Sequence, residues 1–144
     1  MNRIDFSGTT SVYLLGSYGV GTVTAGDLNV NECTFTGTTA AIRYSRNVGT
    51  IKVLDCVFSS LLNAGVAVGT ATLIQVTNSI FEYGLLTSSP IPLTSVEVQV
   101  TYNQFRHMRS SKMIPLSVTA TSITYIGNTH SNNTNIFTKV DAAT

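Results

Sequence analysis

Four stretches of this chain are near-copies of one another at almost constant spacing: "LNVNECTF" at 28–35, "IKVLDCVF" at 51–58, "IQVTNSIF" at 74–81 and "VQVTYNQF" at 98–105. A fifth, more divergent copy begins at Ile123. The starting residues Leu28, Ile51, Ile74, Val98 and Ile123 are 23, 23, 24 and 25 residues apart. No other feature constrains the fold as strongly. A period of 20–50 residues means stacked units, none of which can bury its apolar face without its neighbours.

The columns of the repeat show what must stack. The first is always aliphatic. The third holds Val30, Val53, Val76 and Val100, then Tyr125, and the eighth holds Phe35, Phe58, Phe81 and Phe105, then His130. The sixth is small or amide: Cys33, Cys56, Ser79, Asn103 and Asn128. His130, standing where the core Phe is expected, marks the fraying end of the stack. A second strand is predicted after each Phe, at 41–44, 66–68, 91–93 and 114–118. "FSGTT" at 6–10 echoes "FTGTT" at 35–39, and "IFTKV" at 136–140 closes the last turn. Each unit is too short for two helices, lacks leucine-rich spacing and carries no sustained 3.6-residue pattern. The prediction is an all-β solenoid, a parallel β-helix of about five coils with 23–25 residues each. Every strand then pairs with its equivalent one coil away, at about 4.8 Å.

Composition agrees with this and narrows the partners. Charged residues are 10% of the chain, against about 25% in an average domain, so neutral strands are favoured over charged amphipathic helices. A formal charge of +1 gives no pull toward nucleic acid or anionic lipid. No apolar run approaches the roughly 20 residues that span a bilayer. Neither nucleic acid nor membrane is an expected partner. Asp5 and the polar "SGTT" interrupt the N-terminal stretch, so no Sec signal is expected. A virion protein released by lysis would also lack one. Cys33 and Cys56 share a column and read as two stacked, reduced core thiols. With no CxxC and no His pair, neither metal nor other cofactor is expected.

The recurring "V-x-N/D-C/S-x-F" resembles the right-handed parallel β-helix of the pectate-lyase-like superfamily, closest in character to bacteriophage tailspike and virion β-helix proteins. The resemblance runs over nearly the whole chain. It implies one domain over 1–144, with an irregular first coil at 1–27, regular coils at 28–130 and a closing strand at 131–144. Lyases, hydrolases, adhesins and inert stalks share this fold, so it implies no single activity. In that family an asparagine in the left-handed conformation often stands at the fifth position, a role Asn78 and Gly127 match. Glu32, Asp55 and Tyr102 depart from it.

Three residue sets carry functional expectations. Glu32 and Asp55 share the fifth column on adjacent coils, and neighbouring acids of this kind serve glycoside hydrolysis when one is protonated and one ionised. The plainer reading, two solvated turn acids, is preferred. Arg106, His107, Arg109 and Lys112 form the charge cluster "RHMRSSK", read as a solvated loop or a contact to an acidic partner. Leu54, Val57, Ile80 and Ile126 occupy columns that alternation points outward, and exposed apolar patches mark partner surfaces. No Ser–His–Asp order, nucleophile elbow or phosphate loop is present. "GVGTVTAG" at 19–26 reads as a turn.

The expected function is therefore non-enzymatic and structural. By the tailspike resemblance, the chain is a tailed-phage virion protein, a capsid decoration (cement) protein or a short tail spike. Its partners would be itself, as a homotrimer, and capsid or tail proteins, with surface polysaccharide as a further possibility. The expected location is the virion, with an extracellular setting as the alternative. The rival function is a polysaccharide lyase or hydrolase, or a carbohydrate-binding β-helix domain.

Overall fold

The computed structural model describes residues 5–7, 13–17, 27–37, 40–60, 64–84, 95–109 and 121–134. Lys112, the Gly-rich 19–26 stretch, the strands expected at 91–93 and 114–118 and the closing segment at 136–140 lie outside them.

All regular structure among the described residues is β. In chain order the strands are β1 (Asp5–Ser7), β2 (Tyr13–Ser17), β3 (Leu28–Asn31), β4 (Thr34–Thr36), β5 (Ala40–Leu54) and β6 (Val57–Ser59). They continue with β7 (Ala64–Thr77), β8 (Ile80–Glu82), β9 (Ser95–Thr101), β10 (Gln104–Arg106), β11 (Ser122–Ile126) and β12 (Thr129–Ser131). One sheet runs β1-β4-β6-β8-β10-β12 and a second runs β11-β9-β7-β5-β2, with β3 also pairing with β5. Every pairing is parallel and joins strands one coil apart. This is a short parallel β-helix.

The register follows the sequence repeat residue for residue. Leu28 faces Ile51, Ile51 faces Ile74, Ile74 faces Val98, and Val98 faces Ile123. Phe6 pairs with Phe35 and Ser7 with Thr36, so the first two residues of the "FSGTT" echo are coil equivalents. The expected second strands at 41–44 and 66–68 form the first parts of β5 and β7, paired Ile42 to Val66 and Tyr44 to Val68.

The core is a set of ladders. Val30, Val53, Val76 and Val100 are fully buried, as are Ile51, Ile74 and the four phenylalanines. Ring centroids are 5.0 Å apart for Phe35–Phe58, 4.6 Å for Phe58–Phe81 and 5.1 Å for Phe81–Phe105. Their planes lie within 14° of parallel. Carbon atoms touch at about 3.5–4.0 Å, so these larger centroid distances mean slipped rings, the arrangement the aromatic quadrupole favours. His130 continues the stack on Phe105 at 5.1 Å and 9°.

Between the two sheets each coil makes a sharp turn, and here the structure goes beyond the sequence reading. Glu32, Asp55, Asn78 and Tyr102 all have φ between 51° and 58°, and Gly127 has 68°. The whole fifth column is left-handed, including the three residues that depart from the family's Asn. Such a conformation costs a residue like Glu or Tyr about 1–2 kcal/mol, whereas Asn and Asp tolerate it. It persists because the inter-coil ladder runs through the turn. Glu32 donates its N–H to Leu54 O, Asp55 to Thr77 O, Asn78 to Thr101 O and Tyr102 to Ile126 O, at 2.9–3.2 Å. Gly127 meets a second demand, because a Cβ there would collide with the Tyr102 ring.

A buried polar ladder does form, but in the sixth column rather than the fifth. The N–H of Cys33 points at Cys56 Sγ (3.4 Å), that of Cys56 at Ser79 Oγ (3.1 Å), that of Ser79 at Asn103 Oδ1 (2.9 Å) and that of Asn103 at Asn128 Oδ1 (2.8 Å). Each side chain takes up the one backbone donor that the turn leaves between the sheets. Asn103 Nδ2 and Asn128 Nδ2 then donate to Val76 O and Val100 O, at 2.9 and 2.8 Å. Cys33 and Cys56 are free, buried thiols, as their shared column predicts. Burial pushes the Cys56 thiol up to about 11, so it stays protonated and donates to Leu54 O at 3.1 Å.

Candidate functional site

Among the described residues, two columns of turn residues and two outer strand columns hold the candidate side chains. The first turn column carries Glu32 and Asp55, both exposed, as expected for turn acids. The Asp55 carboxylate accepts a hydrogen bond from Asn78 Nδ2 at 2.5 Å, one coil on. An acid pair for glycoside hydrolysis needs one carboxyl held protonated by an apolar enclosure. Glu32 and Asp55 both stand exposed on an outer turn, without such an enclosure.

The second turn column follows each core Phe by two residues. Gly37, Ser60, Tyr83, His107 and Asn132 all have φ between 50° and 68°. Their N–H groups keep the ladder intact here too, with Tyr83 donating to Arg106 O and His107 to Ser131 O at 3.2 and 3.0 Å. A left-handed turn throws the side chain outward, and stacked turns bring such side chains face to face. Tyr83 and His107 lie 4.9 Å apart with planes 5° from parallel. Tyr83 nevertheless keeps 56% of its surface exposed.

Three successive turns of this column border an open depression of about 460 Å³, lined by Tyr83, Gly84, His107, Arg109, Asn132 and Thr134. Arg109 is fixed at its backbone, where its N–H donates to Gly84 O at 2.8 Å. Its side chain is exposed. Thr134 is anchored likewise, its N–H and hydroxyl both donating to Met108 O at 3.1 and 3.3 Å. Of the expected basic cluster, His107 and Arg109 thus meet in one place. Arg106 is half-buried and engages Gln104 Oε1, its neighbour on β10. Sequence reasoning missed Tyr83, Asn132 and Thr134. The available signal was that Tyr83, His107 and Asn132 share the position two after the eighth column.

The apolar outer residues fall on two strand columns. Val57 and Ile80 are register partners on β6 and β8, flanked by Thr34 on β4 and Gln104 on β10. Both are half-buried, as is Leu54 at the end of β5, while Ile126 is 57% exposed.

At the last described coil, Tyr125 and His130 replace the Val and Phe of the core columns. Tyr125 Oη and His130 Nε2 lie 2.8 Å apart, a hydrogen bond that lets two polar groups take core positions. Burial pushes the Tyr125 phenol up and holds the His130 imidazole below its ordinary value of 6.5. His130 is a packed member of the Phe stack.

Comparison with protein-family models, with curated proteins and with solved structures finds no match to this chain.

Proposed function

We propose that this chain is a non-enzymatic structural protein of a tailed-phage virion, a capsid decoration protein or short tail spike that works as a homotrimer. The fold's specific likeness to tailspike β-helices within the pectate-lyase-like superfamily is part of this proposal. The observation that carries it is the in-register Val57–Ile80 pair on the outer column of the six-stranded sheet. Polar residues hold the same column on the neighbouring coils (Thr34, Gln104 and Thr129), so the aliphatic pair is a local patch rather than a general habit of that face. Both side chains are already half-buried, so sealing them contributes only part of the roughly 1.5–3 kcal/mol of a full Val or Ile burial. Three copies around one axis would offset part of the entropy lost on association. The function is adhesive: the Val57–Ile80 patch seals the subunits, and the low-charge Thr/Asn/Gln faces meet solvent or a neighbouring shell.

Light scattering on the purified chain tests the assembly, with a trimer expected at micromolar concentration. Val57→Asp with Ile80→Asp should release monomer or abolish soluble folding, because charge would enter a dry interface. The milder Val57→Thr, Ile80→Thr pair matches residues already present in that column and should give folded monomer. A monomeric wild type whose double Asp variant melts at the same temperature removes the interface. Electron microscopy of phage particles labelled by an antibody to the chain tests the setting.

A further inference from the structure

The fold sorts the exposed acidic, basic and imidazole side chains onto two separate corners. Among the described side chains, the exposed acids are Asp27, Glu32 and Asp55, and their exposed counterparts are His107 and Arg109. The Asp27 carboxylate is already engaged, since it accepts the Thr50 N–H at 2.8 Å. That leaves Glu32 and Asp55 on the first turn column, where Asp55 spends one carboxylate oxygen on Asn78 Nδ2. His107 and Arg109 line the depression on the second turn column. His107 stacks on Tyr83 by its face, which leaves its ring nitrogens at the edge, and Asn132 adds an amide from the next coil. The depression is thus lined with hydrogen-bond donors, and a guanidinium among them recognises carboxylates by charge-assisted bonds.

The two corners flank one face. Three-residue strands such as β6 (Val57–Ser59) separate them, a width of about 10 Å at 3.3 Å per residue. The Val57–Ile80 pair lies between. In a ring of copies that turns this face toward its axis, the first turn column of each copy comes beside the second turn column of the next, a heterologous contact. We propose that the depression of one copy receives the acidic turns of its neighbour, with the Glu32 and Asp55 carboxylates on Arg109 and with His107 and Asn132 as further donors. The contact rests on the oligomer proposed above and supplies its register, which a small apolar patch leaves open. Asp55 stands two coils from the His107 turn, about 10 Å along the solenoid axis, so neighbouring copies cross at a tilt.

Sedimentation velocity over a dilution series of the intact chain gives the association midpoint that tests this. Arg109→Glu sets like charges against each other and should raise the midpoint at least about tenfold, and Glu32→Lys with Asp55→Asn should do the same. Those replacements suit the left-handed turn, because Asn tolerates it and Lys fits it no worse than the native Glu. The triple variant carries the pair reversed and should return to within about threefold of wild type. Arg109→Gln, which removes the charge without reversing it, should remove the weakening of wild type seen between about 0.05 and 0.5 M NaCl. Circular dichroism spectra matching wild type confirm that each variant is folded. A wild type that stays monomeric at micromolar concentration overturns the oligomer and this contact with it. A wild-type trimer whose midpoint is unmoved by Arg109→Glu, or a triple variant as weak as the others, overturns the charge contact alone and leaves the Val57–Ile80 interface standing.

Discussion

Replacing Phe58 by alanine removes the central ring of the stack, and the structure sets the size of the effect. The ring is 1% exposed and lies between Phe35 at 5.0 Å and Phe81 at 4.6 Å. Truncating a buried phenylalanine costs about 3–5 kcal/mol in lost transfer energy and residual cavity. Two aromatic contacts, each worth about 0.5–1.5 kcal/mol, disappear together, which puts Phe58 toward the top of that range. The cavity cannot close by sliding the coils together, because the backbone ladder fixes their spacing on both sheets. Urea melts followed by circular dichroism measure the loss. Thr36→Ala, on an exposed position of β4, is the control and should stay within about 0.5 kcal/mol of wild type. Because solenoid coils touch only their neighbours, the variant should also unfold less cooperatively, with a lower m-value. A destabilisation below about 1 kcal/mol would refute the stacked-core account, since no packed aromatic ladder could lose its middle rung so cheaply.

The remaining predictions concern the polar groups that the coil encloses. Asn103→Leu strands the Ser79 N–H and removes the amide hydrogen bond to Val76 O, so it should destabilise by about 1–3 kcal/mol and speed hydrogen exchange at the Ser79 amide. Unchanged exchange there would mean that the sixth-column ladder is not a stabilising element. His130 is held below its ordinary value of 6.5 by burial, so the unfolded chain binds its proton first as the pH falls. The stability tied to it is fully present above pH 6.5 and declines as the pH drops from there through the folded-state value. His130→Phe, which extends the Phe stack, should flatten that part of a stability–pH curve measured by denaturant melts. A slope identical to wild type would exclude His130 as its source.

The sequence by itself determined the architecture, and the reason is geometric. In a solenoid, residues one period apart are spatial neighbours, so the repeat phase is already the contact map. Leu28 on Ile51, Phe35 on Phe58 and Cys33 beside Cys56 were all legible as columns before any coordinate was known. What only the tertiary structure decided lies where a contact depends on something other than the period. Glu32 and Tyr102 take the left-handed turn against their own preference because hydrogen bonds to the next coil override it. The amide ladder forms in the sixth column because that is where the turn leaves an N–H without a backbone acceptor, which a residue alphabet does not reveal. Tyr125 meets His130 within a single coil, since the turn between β11 and β12 folds two different columns onto one interior. The depression at Tyr83, His107 and Arg109 needs three consecutive outward turns. Its residues are unremarkable one by one, and only the stacking of turns makes them neighbours.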